Sequence, residues 1–233
     1  MCSATADCRP YRYGRKLGEE SHLKDKLQGK FIVLDGPDGC GKSTQAGLLV
    51  QWLQEQGVPT CRFRDPGGTA IGEKIREILL NPEHLAMKTR TELLLYMAAR
   101  AQLWLEQIGP ALQSDQCVVL DRWLSSTCAY QGFAGGFGVE KVIKIATDCL
   151  ERVWPDLTII LDVDLKTASQ RLDRQLDRME AKGDGYHRKV REGFLQLAEQ
   201  REDVVVVDAT ADVDAIHKKV TEEIKGFFSH RFH

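Results

Sequence analysis

Residues Gly36-Pro37-Asp38-Gly39-Cys40-Gly41-Lys42-Ser43 fit the spacing G-x-x-x-x-G-K-S/T, and Thr44 follows. Glycines at these positions let successive backbone N–H groups curl toward phosphate oxygens, and a helix starting there adds the positive end of its dipole. Lys42 supplies a mobile charge for β- and γ-phosphates, and Ser43 offers a hydroxyl to Mg2+. The chemistry implied is binding of a nucleoside triphosphate. A carboxylate, Asp121, closes the apolar run 117–120 and suits an aspartate that reaches the same cation through water.

These residues need a scaffold, and the apolar pattern supplies one. Continuous Val/Ile/Leu-rich runs at 31–35, 60–64, 117–121, 157–163 and 204–208 read as strands buried on both faces. Helical patterns lie between and after them at 42–56, 71–80, 89–114, 139–153, 166–175, 186–199 and 212–228. Alternation of this kind predicts one α/β domain, a five-stranded parallel sheet with helices on both faces. Ligands then gather outside the carboxyl ends of the strands, where the phosphate loop and Asp121 fall. Residues 1–28, part of a polar and charged stretch running to Lys30, predict a disordered or loosely packed extension, and 29–233 the domain.

Composition narrows the class. The 233 residues are 42% hydrophobic and 28% charged, with a formal net charge of -2, which argues against a dedicated nucleic-acid binder. No apolar run approaches the ~18 residues needed to cross a bilayer, so no membrane role is expected. Seven scattered cysteines without a C-x-x-C pair point to reduced thiols and a cytoplasmic setting. No N-K-x-D guanine-reading segment is present, which disfavours a GTPase and leaves a compact kinase.

Three further blocks sharpen the reading: Arg64-Asp65-Pro66-Gly67-Gly68-Thr69, the helical stretch from Glu92 through Tyr96 and Arg100 to Gln102, and the run from Asp121-Arg122-Trp123 to Tyr130-Gln131-Gly132. With the phosphate loop they resemble the thymidylate kinase family, in a bacterial-like form, and the resemblance runs from about Gly29 to Phe228. It implies a P-loop fold of the nucleoside monophosphate kinase type that uses ATP and Mg2+ to phosphorylate dTMP to dTDP, and a homodimer. It implies that Arg64 and Arg122 surround the transferring phosphoryl group, a task suited to guanidinium forks. Tyr96, one turn before Arg100, would stack on thymine while Arg100 bonds a base oxygen. Ser126, Thr127, Tyr130 and Gln131 would complete the acceptor pocket, and Asp38 would face the deoxyribose hydroxyl. Many members carry Glu at Asp65, Phe at Tyr96, and Tyr or His at Trp123.

None of the variable loop residues Pro37, Asp38, Gly39 and Cys40 is basic. In the family such a loop goes with arginines supplied by a lid, here expected at 171–186, with Arg174 and Arg178 on one face if the stretch is helical. The alternatives are a related P-loop kinase acting on another nucleoside or nucleoside monophosphate, and a binding module without catalysis. Intact Lys42, Ser43, Asp121 and Arg122 argue against the latter.

Overall fold

The structure is a computed structural model that describes residues 23–172 and 175–230. The five apolar runs form strands β1 (Phe31–Asp35), β2 (Thr60–Arg64), β3 (Cys117–Asp121), β4 (Leu157–Asp162) and β5 (Val204–Asp208). All neighbours pair in parallel in the order β2-β3-β1-β4-β5. Register sets Leu34 and Arg64 beside Asp121, and Asp162 beside Asp208, so charged residues line the carboxyl edge.

Successive residues of β1 serve opposite layers, as the two-residue period of a strand requires. Ile32 and Leu34 join a core with Leu49, Leu53, Ile216, Val220 and Phe228, which come from helices α1 (Lys42–Glu55) and, later in the chain, Val213–His230. Phe31 and Val33 face Leu93, Met97, Trp104 and Trp123 on the other side. There the helices are α2 (Ala70–Leu80), α3 (Thr89–Leu103), α4 (Gly109–Gln113), α5 (Leu124–Thr127) and α6 (Val139–Cys149). The chain closes with α7 (Leu165–Gln170), α8 (Asp184–Glu199) and α9 (Val213–His230).

Three helices differ from expectation, each for a local reason. The stretch 89–114 is interrupted by a π-turn at Trp104–Ile108, where the Gly109 amide bonds back to the Trp104 carbonyl. Pro110 follows and has no N–H to give, so the α-ladder breaks there. The helix expected over 139–153 ends at Cys149, because Leu150 turns extended and buries its side chain. The helix expected over 166–175 ends at Gln170; the Arg171 guanidinium instead reaches the carbonyls of Ala209, Thr210 and Ala211.

The extension is also shorter than the boundary at residue 28 implies. Residues 1–22 lie outside the described residues, but 23–27 are helical and Leu27 is fully buried in the α1/α9 core. Leu27→Ala should therefore cost ~2–5 kcal/mol, as large-to-small core changes do. Chemical denaturation checks it; a loss below ~1 kcal/mol would mean that this turn does not belong to the core.

Candidate active site

The site rests on Asp35, the last residue of β1, which is completely buried. Its Oδ1 accepts from the Gly36 amide at 2.9 Å and the Ser126 hydroxyl at 2.6 Å. Its Oδ2 accepts from the Ser125 hydroxyl at 2.5 Å and from the Ser126 and Trp123 amides at 2.8 and 3.3 Å. One carboxylate thus pins the start of the phosphate loop to the segment after β3. Between them stands Arg122, a non-glycine residue at φ 68. That strained conformation persists because its amide is held by the Leu34 carbonyl at 3.0 Å.

The loop needs its glycines. Gly39 has φ 79, and a Cβ there would fall 2.3 Å from the Ala168 carbonyl oxygen; at Gly36 it would meet that of Leu161 at 2.5 Å. Lys42 lies across the loop, donating to the carbonyls of Pro37 at 2.7 Å and Gly36 at 3.1 Å. Cys40 is buried in the core, and burial pushes its thiol up despite the nearby Lys42, so it is a packing residue. Ser43 donates to Asp121 Oδ2 at 2.5 Å. The two residues expected to share a cation are therefore adjacent.

Over this floor lies a cavity of about 680 Å3 lined by the loop from Asp38 to Thr44 and by Arg64, Tyr96, Arg100, Asp121, Arg122, Ser126, Thr127, Tyr130 and Gln131. Asp38 receives the Arg122 guanidinium on one oxygen and the Tyr130 hydroxyl, at 2.6 Å, on the other. Burial opposes its ionisation, but the charges of Arg122 and Lys42 outweigh that and hold the carboxyl below its ordinary range. Burial, then the Asp38 charge, keep the Tyr130 phenol well above its ordinary value, so it stays a donor. Arg122 also donates to the Gly36 carbonyl and the Ser126 hydroxyl, each at 3.0 Å. Arg64, half-exposed, is braced by both oxygens of Glu73 at 2.9 and 3.1 Å.

Tyr96 lines the cavity and makes no hydrogen bond among the described residues, and burial pushes its phenol up. Arg100, one turn on, is 1% exposed. It donates to Asp65 at 2.6 Å, Thr127 at 2.9 Å and the Trp123 carbonyl at 3.2 Å. Its edge on the cavity is thus held by an ion pair, and the Asp65 that stands in place of a family glutamate is the partner. Trp123 is buried against Phe31 and Trp104, a core residue that does not line the cavity.

The segment expected as a lid departs most from expectation. Arg174 lies outside the described residues. Arg178 is 4% exposed and fully engaged: Glu92 at 2.6 Å, the Leu79 carbonyl at 2.7 Å and the Met179 sulfur at 3.4 Å. Residues 175–179 are not helical. Arg178 is therefore not a guanidinium presented to phosphate, because its donors are spent on a buried carboxylate and the chain. Arg171, the first residue of the expected lid, does line the cavity, as does Arg76, which the sequence reading does not name. Burial and the positive charge of Arg64 push the Arg76 guanidinium below its ordinary value. Asp35 and Glu92 were also missed as anchors. Asp35 carried a signal, an acidic residue closing the strand before the loop; Glu92 opened the block that carries Tyr96 and Arg100, with no local sign of its buried partners.

Asp35→Asn replaces one acceptor oxygen with a donor that faces donors. Stability should drop by ~1–3 kcal/mol. Because both the loop and residues 122–126 hang on this group, kcat/KM should fall for both substrates together. Steady-state kinetics with each substrate varied checks this, and a fall confined to one substrate would contradict the shared anchor.

Comparison with known proteins agrees with this geometry. The family profile described as thymidylate kinase matches residues 34–220. The chain is 41% identical over 195 residues to a thymidylate kinase of Geobacillus sp. (strain WCH70), covering 82% of this chain and 93% of that one. It is also 41% identical over 203 residues to one of Caldanaerobacter subterraneus subsp. tengcongensis, covering 86% and 97%. The crystal structure of thymidylate kinase from Ehrlichia chaffeensis superposes with a TM-score of 0.68 at 27% identity, over 85% of this chain and 99% of that one. With the motif residues gathered round one cavity on the matching fold, the chain belongs to the thymidylate kinase family.

Proposed function

We infer that the protein transfers the γ-phosphoryl group of ATP to dTMP, giving ADP and dTDP. The observation that carries this reading is convergence: the phosphate loop, the Ser43–Asp121 pair and the acceptor residues Tyr96, Arg100 and Gln131 line one cavity. The relatives' names agree with it.

The acceptor phosphate is its own nucleophile and already anionic, so the chain has no proton to remove; its work is positioning and charge neutralisation. Loop amides and Lys42 bind the donor phosphates, with Lys42 exchanging carbonyl partners for phosphate oxygens. Ser43 and Asp121 form an all-oxygen pair suited to a hard cation that keeps most of its waters. They would hold Mg2+, which would supply positive charge to offset that of the donor phosphates. Arg64 and Arg122 grip the phosphoryl groups from the acceptor side, joined by Arg76. Asp38 orients Arg122 and retains lone pairs for a sugar hydroxyl. Arg171 is the described cation that borders the cavity from the segment after α7, near the carbonyls of 209–211 where adenine would rest. Arg174 would add to it.

A homodimer is part of this proposal, supported by the exposed apolar side chains Ile71 and Ile78 on α2, Leu94 on α3 and Leu105 just beyond it. A cytoplasmic site is supported by the five free cysteines among the described residues. No described helix is long and apolar enough to cross a membrane.

A coupled ADP-release assay over dTMP, dUMP, dCMP, dGMP and thymidine should give the highest kcat/KM with dTMP; a better rate with dCMP or dGMP would overturn the assignment. Tyr96→Ala should raise the dTMP KM about 10-fold or more, since stacking on an aromatic contributes ~1–3 kcal/mol per base. The ATP KM should hold. Asp121→Asn should raise the Mg2+ concentration for half-maximal rate ~10–100-fold, as loss of an outer carboxylate does. Equilibrium dialysis of dTMP without metal should be unchanged, and a parallel loss there would place Asp121 on the acceptor instead.

A further inference from the structure

Glu92 opens the helix face that carries Tyr96 and Arg100, yet it does not line the cavity. It is 1% exposed and surrounded by donors. Arg178 lies at 2.6 Å, Lys182 Nζ at 3.1 Å from each oxygen, and Gln131 Nε2 at 2.8 Å. Burial opposes ionisation, but Lys182, the Gln131 amide and Arg178 together hold the carboxyl below its usual range. It is a carboxylate, and a carboxylate accepts only.

That fixes a choice which side-chain amides otherwise leave open. The NH2 end of Gln131 must face Glu92, because the carbonyl end would set acceptor against acceptor. Gln131 is itself 1% exposed and borders the acceptor end of the cavity. Its Oε1 has no hydrogen-bond partner among the described residues. The group offered to a ligand is therefore an acceptor. Thymine carries a donor at N3, whereas N3 of cytosine is an acceptor.

We propose that Glu92 is a positioning residue for acceptor specificity: it locks the Gln131 amide with its oxygen toward the base, and Arg178 and Lys182 keep it in the acceptor-only form. This gives Arg178 a task in place of phosphate binding. It rests on the reading that the cavity receives the base of dTMP beside Gln131. A site holding one fixed polar group rejects the mismatched partner strongly, and loses that discrimination when the group is free to turn.

Glu92→Gln keeps the shape but can either donate or accept, so Gln131 can flip. The measurement is the ratio of kcat/KM for dTMP to that for dCMP, with the ATP KM in parallel. The wild-type ratio should strongly favour dTMP, and Glu92→Gln should narrow it at least tenfold, with the ATP KM changed less than threefold. Because Arg178 is then left buried without its partner, Glu92→Gln/Arg178→Met, which removes both charges, is measured as well and should show the same narrowing. Thermal melts report folding separately. A ratio within twofold of wild type in a folded variant overturns the proposal, whatever happens to stability or to kcat. A wild-type enzyme that does not prefer dTMP would instead remove the reading beneath it.

Discussion

Five donors converge on the buried carboxylate of Asp35, and the loop, the strained Arg122 and the two serines after it take their places from that convergence. A buried carboxylate is costly unless its lone pairs are used. Here the donors come from two crossings of the sheet's carboxyl edge that are far apart in sequence and adjacent in space. The first crossing has no regular element to hold it, and the second has only the single turn of α5. The phosphate loop curls through positive-φ glycines, and residue 122 occupies a conformation that most side chains avoid. The carboxylate supplies the order that the backbone ladder cannot.

Charge then propagates outward from this anchor in alternating sign. Asp35 lies 3.6 Å from Arg122, Arg122 grips Asp38, and Asp38 takes the Tyr130 hydroxyl. A parallel chain runs along α3, where Asp65 holds Arg100 and Glu92 holds Arg178 and Lys182. Three cations that border the cavity, Arg64, Arg100 and Arg122, are braced by the carboxylates of Glu73, Asp65 and Asp38. Phosphate-binding guanidinium groups are long and flexible, and bracing removes rotamer freedom before a ligand arrives. The site is stiff where it must be selective.

How far the sequence alone carried follows from where each signal lives. Phosphate loops and buried parallel strands are local patterns, so residues 36–44 and all five strands were legible, with β4 misjudged only at Val163. That Tyr96, Arg100, Arg122, Tyr130 and Gln131 border one cavity was legible because the blocks that hold them resemble a known family. What could not be read was pairing across the fold. Nothing near Glu92 says that residues 178 and 182 will be folded onto it, and a guanidinium free for phosphate looks the same in sequence as one bound to a buried glutamate. Helix ends were missed where tertiary contacts, such as Arg171 with the carbonyls of 209–211, override propensity.

The strand order has a consequence for how such a protein can change. With β1 in the middle, Arg64, Asp121 and residues that follow β2 and β3 line one side of the cavity, while Arg171, Leu172 and residues 211–213, which follow β4 and β5, line the other. The two sides meet along the line from Gly36 to Ser43 and again where the segment between β4 and β5 returns, with Arg178 and Lys182 on Glu92 and the Tyr186 hydroxyl on the Tyr130 carbonyl. Substitutions that reshape the acceptor side therefore have neighbours in that returning segment, so a new acceptor would have to be accommodated by changes on both wings of the sheet. The architecture ties acceptor preference to a stretch of chain far from it in sequence.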